Sequence, residues 1–114
     1  MRFTDLLNPN RIVIESSIRS KKSLFDFISQ TLSQDEAPLL ANTLLKAFHQ
    51  REELGTTGIG QQIAIPHARL EGINSPSAVF IKLENGINYE GADNLPVQLV
   101  FAFVVPKGDN QTHL

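Results

Sequence analysis

The chain has 114 residues, 41% of them hydrophobic and 19% charged, with a formal net charge of −2 and no cysteine. That balance describes one small soluble domain with no basic footprint for nucleic acid, and it excludes disulfides, thiolate nucleophiles and cysteine metal clusters. The start Met1-Arg2-Phe3-Thr4-Asp5 lacks the apolar core of a signal peptide, so the cytoplasm is the expected compartment.

Leu6, Leu7, Ile12 and Ile14 frame a short helical opening, an Asn8-Pro9-Asn10 turn and a first strand from Arg11 to Glu15. Leu24, Phe27, Ile28, Thr31 and Leu32 recur at three and four, which predicts a helix over 21–33. A second helix is expected to open at Asp35, with Pro38 in its first turn and Leu40, Leu44, Ala47 and Phe48 on one face. Arg51 continues that face toward the helix's C-terminal end. Taken alone, such an arginine snorkels or compensates the helix dipole.

From Ser77 to Glu84 the residues alternate, with Val79, Ile81 and Leu83 on the better-buried side of a strand. Asn85-Gly86 signals a turn, and Tyr89 to Asn94 reads as a polar connection. Pro96-Val97 opens a last strand ending at Val105-Pro106. Its apolar run from Leu99 to Val105 is far short of the roughly 20 residues a membrane helix needs, and reads as a buried central strand. The order βααβ followed by two strands predicts an α/β domain whose mixed β-sheet is flanked by helices.

The segment Gly55 to Leu70 is the most informative. Ile63-Ala64-Ile65 reads as a short strand, which Pro66 ends, so that His67 leaves it on a stiff stem. Upstream, Gly55, Gly58 and Gly60 form a glycine-rich turn whose amides can point into one concavity suited to an anion. Imidazole, with an unperturbed pKa of ~6.5, is largely neutral at cytoplasmic pH and can attack phosphorus. Competing chemistries are disfavoured. No Gly-Lys-Ser/Thr follows the glycines, no helix opens behind them, and no Gly-x-Ser-x-Gly elbow occurs. His49, His67 and His113 lack the i, i+4 spacing of a zinc protease motif, and no metal site is expected.

Thr57-Gly58-Ile59-Gly60 followed by Ile63-Ala64-Ile65-Pro66-His67 resembles the signature of the IIA domains of the bacterial phosphoenolpyruvate-dependent sugar phosphotransferase system (PTS), in the fructose/mannitol and nitrogen-regulatory branch (EIIA type 2). The likeness runs from Asp5-Leu6-Leu7-Asn8-Pro9 through Asn94-Leu95-Pro96-Val97. It implies the IIA sandwich fold and phosphorylation of His67, at the ε nitrogen, by a histidine phosphocarrier protein of the HPr type. It also implies phosphoryl stabilisation by Arg51 of the pair Arg51-Glu52, phosphate binding by Thr57, Gly58 and Gly60, and a second site histidine at His113 in Thr112-His113-Leu114. No cofactor, nucleic acid or membrane insertion belongs to this reading.

Three departures stand out. The family commonly has glycine where Gln62 and Ala68 stand, and its members continue past the Thr-His-Leu segment into a helical pair. Residues 1–114 therefore read as a single EIIA type-2 domain trimmed of its C-terminal helices. Leu6 to Ile14 and Ser20-Lys21-Lys22 resemble the stand-alone nitrogen-regulatory proteins, which signal through their phosphorylation state, more than the sugar-specific ones. The alternatives are a fructose/mannitol-type IIA that passes phosphate to a IIB domain, and a phosphorylation-dead binding module.

Overall fold

Residues 12–34 and 40–107 are described by the structure, a computed structural model. The expected opening helix and turn around Leu6 to Asn10, Arg11 at the head of the first strand, Asp35, Pro38 and His113 lie outside the described residues.

The first helix, α1 (Lys21–Ser33), follows strand β1 (Ile12–Glu15) and has the limits its periodicity predicts. Ser20 starts it through a reciprocal cap. Its hydroxyl accepts from the Ser23 N–H at 3.0 Å, while its own N–H donates to the Ser23 hydroxyl at 3.1 Å. Such a cap stabilises a helix by about 1 kcal/mol. The second helix, α2 (Ala41–Glu53), begins later than Asp35, because Leu40 has extended backbone that helical geometry cannot pass through.

Strands β2 (Gly58–Gly60), β3 (Ile63–Ala64), β4 (His67–Leu70), β5 (Ser77–Ile87) and β6 (Val97–Pro106) complete a mixed sheet in the order β1-β5-β6-β3-β2, with β4 also on β6. As Leu99 to Val105 predicts, β6 is central: β5 pairs with it antiparallel on one side, and β3 and β4 pair with it parallel on the other. Leu99 itself stays partly exposed, while Val100 to Val105 are buried.

Alternation along the central strands decides which face the helices cover. Val79, Ile81 and Leu83 of β5 and Val100, Ala102 and Val104 of β6 pack with Leu24, Phe25, Ile28 and Leu32 of α1 and Leu44 and Phe48 of α2. The opposite face gathers Ala78, Phe101, Phe103 and Val105 into a second cluster, joined by Ile65 and Phe80.

The Asn85-Gly86 turn expected from sequence does not form. Both residues stay within β5, where the register slips between Lys82↔Leu99 and Ile87↔Val97, so that the extra length is absorbed as a bulge. Gly86 is held there by close approach, since a Cβ on it would lie 2.7 Å from that of Pro96. The connection after β5 is also less polar than it reads, because Tyr89 is fully buried with its ring 6.1 Å from that of Phe25.

Candidate functional site

Strand β3 stops before Ile65-Pro66, as the proline predicts, but the chain pairs with β6 again from His67 onward. Ala64 pairs with Val100 and His67 with Phe103, so β3 and β4 keep one register across Ile65-Pro66. The proline removes one donor, but its carbonyl still accepts the Phe103 N–H at 3.1 Å and keeps the chain extended. His67 is accordingly the first residue of β4 rather than part of an exit loop.

The His67 ring is half-buried and stacks on Phe103, with centroids 5.2 Å apart and planes 11° from parallel. Its Nδ1 lies 2.8 Å from the Ile65 carbonyl oxygen. A carbonyl only accepts, so this contact makes Nδ1 the protonated nitrogen and leaves Nε2 with an available lone pair. The backbone at Ile65 is itself held, its N–H donating to the Thr57 carbonyl at 2.9 Å.

An open cleft of about 410 Å³ lies beside this ring, lined by Ala47, Gln50, Arg51 and Leu54 from the end of α2 and by His67, Ala68 and Arg69. Arg51 thus reaches the same cleft as His67. One of its guanidinium nitrogens, Nη1, donates to the Gly55 carbonyl at 2.9 Å, which fixes the fork at the helix terminus. Arg69 lines the cleft as well. Sequence reading missed it, because its only signal is the i, i+2 spacing from His67, which has meaning once β4 is known to be a strand. Two arginines and an imidazole make the cleft suited to a phosphoryl group.

Thr57, Gly58 and Gly60 are not among the residues lining this cleft. The glycine-rich segment is strand as well as turn, since β2 pairs antiparallel with β3 and the reversal falls on Gln61-Gln62. The Thr57 N–H donates to Glu52 at 3.0 Å, and the Gly58 N–H donates to the Thr56 hydroxyl at 3.1 Å. A Cβ on Gly58 would lie 2.8 Å from the Gly91 Cα and from the Tyr89 ring, so glycine there permits two backbones to cross. Gln61 and Gln62 both have positive φ, 56° and 67°, which non-glycine side chains disfavour. Asp93 braces this turn by accepting the Gln61 N–H at 2.8 Å, and that bond, then one from Leu95, holds its carboxyl below the usual range.

Behind the cleft lies a polar cluster. Glu52 accepts from Lys21 Nζ at 2.7 Å and from both the N–H and the hydroxyl of Thr57, and that hydroxyl meets the Tyr89 hydroxyl at 2.7 Å. Burial pushes the Glu52 carboxyl up, but the bonds from Lys21 and Thr57 outweigh it and hold the group below its ordinary value. Burial, with the Glu52 charge adding to it, raises the Tyr89 phenol, which therefore stays a neutral donor. Lys21 Nζ also sits 4.4 Å from the centroid of the Tyr89 ring.

Of the other histidines, His49 is exposed on α2 with its ring against Phe25, away from the cleft. Among the described residues no group of three or more His, Asp or Glu is arranged to hold a metal ion, and no helix is long and apolar enough to cross a membrane.

Comparison with known proteins gives a consistent result. Residues 5–114 match the family described as "Phosphoenolpyruvate-dependent sugar phosphotransferase system, EIIA 2". The chain is similar to the nitrogen regulatory protein of Escherichia coli (strain K12), 40% identical over 115 residues, covering all of this chain and 70% of that protein. It is also similar to the fructose-specific EIIABC component of Bacillus subtilis (strain 168), 32% identical over 114 residues, covering all of this chain and 18% of that longer protein. Among solved structures, the nitrogen regulatory protein IIA-Ntr of Neisseria meningitidis superposes with a TM-score of 0.85 at 31% identity, over 92% of this chain and 71% of that one. Enzyme IIA-Mtl of Escherichia coli, solved in complex with phosphorylated enzyme IIB-Mtl, shares the fold with a TM-score of 0.73 at 19% identity, over 90% and 72% of the two chains.

Proposed function

Because the chain belongs to the EIIA 2 family of the phosphoenolpyruvate-dependent sugar phosphotransferase system, we propose that it is a phosphoryl carrier that accepts phosphate on His67 from a histidine phosphocarrier protein of the HPr type. The observation that carries this reading is the His67 ring at the Arg51 cleft, with Nδ1 bonded to a carbonyl and Nε2 left with its lone pair.

In the transfer, the Nε2 lone pair attacks phosphorus in line, and the P–N bond to the carrier's histidine breaks with its electron pair returning to that imidazole. Arg51 and Arg69 offer N–H donors to the equatorial oxygens, where charge is spread in the transition state. As the His67 ring gains positive character, its Nδ1–H bond to Ile65 strengthens, which favours the transition state over the resting ring. Nothing in this step calls on the amides of Thr57 and Gly58, which instead shape the support behind the histidine. His113 stands in this reading only as a second histidine that would tune the ring.

The nitrogen-regulatory role is the preferred end use, on the strength of the likeness to the Escherichia coli and Neisseria proteins over the whole or nearly the whole chain. Phosphorylation adds about two negative charges to an arginine-lined cleft, enough to change its affinity for a regulated protein partner. The likeness to the Bacillus fructose component favours a second reading, onward transfer to a IIB domain. The deciding experiment is intact mass after mixing with phosphoenolpyruvate, enzyme I and an HPr-type carrier. One acid-labile phosphoryl adduct is expected, absent in His67→Ala. An unmodified chain, or an adduct that persists in His67→Ala, refutes the assignment, and loss of the adduct on adding a IIB domain selects the transport reading.

A further inference from the structure

The hydrogen bonds behind His67 form one continuous path that begins at a carboxylate on another element. Glu52, near the end of α2, accepts the N–H of Thr57 at 3.0 Å and its hydroxyl as well. The Thr57 carbonyl accepts the Ile65 N–H at 2.9 Å, and the Ile65 carbonyl lies 2.8 Å from His67 Nδ1. The N–H and the carbonyl of Thr57, and those of Ile65, lie in successive peptide planes joined at one Cα, so a hydrogen bond at each restrains the φ and ψ between them and with them the direction of the next carbonyl. The two free choices of the imidazole, its rotation and which nitrogen holds the proton, are both set by where the Ile65 carbonyl points.

We propose that Glu52 is a positioning residue for His67: acting through the backbone of Thr57 and Ile65, it holds the ring in the Nδ1–H form and so reserves Nε2 for phosphate. This rests on His67 being the phosphoryl acceptor, and it assigns Glu52 a job that Arg51, its neighbour in sequence, does not share. Lys21 completes the arrangement. Its ammonium lies 2.7 Å from Glu52 Oε2, the oxygen that also accepts the Thr57 N–H, so the carboxylate that faces Thr57 is neutralised and does not oppose an incoming phosphoryl group. Tyr89 closes the other side, donating to the Thr57 hydroxyl, which in turn donates to Glu52.

A positioning role is distinguishable from a merely structural one because it predicts a spectroscopic signature. Long-range proton–nitrogen correlation spectra of the unphosphorylated chain should show His67 as a single Nδ1–H species. In Glu52→Ala the ring should become a mixture of the two forms, and phosphate uptake from the carrier should slow severalfold, in proportion to the Nδ1–H fraction lost. Glu52→Gln keeps an oxygen that accepts the Thr57 N–H and should restore most of both the signature and the rate. A folded Glu52→Ala that retains the pure Nδ1–H form overturns the proposal, as does a loss of rate in both variants with the ring form unchanged. If Glu52→Ala does not fold, Thr57→Val, which keeps the volume and deletes the hydroxyl's bonds to Glu52 and Tyr89, is read by the same two criteria. Should the unsubstituted chain take up no phosphate, the carrier function fails, while the ring form in the variants still decides whether Glu52 positions His67.

Discussion

The two flanks of β6 are built by opposite means. On one side β5 is long and antiparallel, and its alternating Val79, Ile81 and Leu83 face a helical layer that buries them almost completely. On the other, β3 and β4 together pair only six residues with β6, are split by Ile65-Pro66, and are reached through a turn with two glutamines at positive φ. Apolar burial holds the first flank, and named hydrogen bonds hold the second. The difference teaches that His67, the proposed phosphoryl acceptor, stands where the sheet is positioned by polar contacts rather than by bulk packing, so stability and the proposed chemistry are separable by mutation.

Four substitutions test that separation. Ile81→Ala, in the β5 flank, should cost about 2–5 kcal/mol of stability in urea unfolding, because a fully buried side chain leaves a cavity between sheet and helices. The rate of phosphate uptake per folded molecule should be unchanged, and a matching loss of rate would break the comparison. Arg51→Ala, on the other flank, should do the reverse, slowing uptake by about 10²-fold as a stabilising donor is removed, while unfolding shifts little.

Acid titration sharpens the contrast. The folded chain holds Glu52 below its ordinary pKa, so its stabilising contribution is full above the unfolded value near 4.3 and is lost as pH falls through the folded value. Stability curves for the unsubstituted chain should fall in that acid range, and Glu52→Gln should flatten them. Parallel curves would show that the carboxylate contributes nothing to the β3–β4 side. The smallest effect is a gain: Gln62→Gly relieves a residue at φ 67° and, after glycine's entropic cost, should stabilise the chain by about 0.5–1 kcal/mol. No change in midpoint would mean that Asp93 already absorbs the cost of the turn through its bond to Gln61.

The same division explains what could be read in the sequence. Helix α1 and strands β5 and β6 announce themselves by periodicity, because apolar burial dictates their patterns residue by residue. The Gly58 to Leu70 flank was harder. Gly58-Ile59-Gly60 has little strand propensity, and its place in the sheet comes from crossing Gly91 at close range, a contact remote in sequence. Pro66 signals an end to the strand, whereas the carbonyl it keeps is enough to continue the ladder, and with β4 hidden Arg69 was hidden too. Asn85-Gly86 is a strong hairpin signal overruled by Pro96 and the continuing ladder with β6. Tyr89 and Thr57 look like loop residues until their hydroxyls are seen to satisfy one another beside Glu52. His67 and Arg51, by contrast, were legible as a pair, since the motif and the helical stripe pointed to one place, and the structure brings both to one cleft.

The order of strands along the chain has a consequence for synthesis. Within the described sheet, β3, β4 and β5 bond to one another only through β6, which is the last of them to be made. A ribosome extruding this chain therefore presents the histidine strand with no lateral partner, and the apolar β5 with only the four-residue β1 beside it, until β6 emerges, and pairings as small as β2–β3 do not persist unaided. Assembly is consequently a single late event, and the interval before it is when the nascent chain is most exposed to wrong partners and most dependent on holding factors.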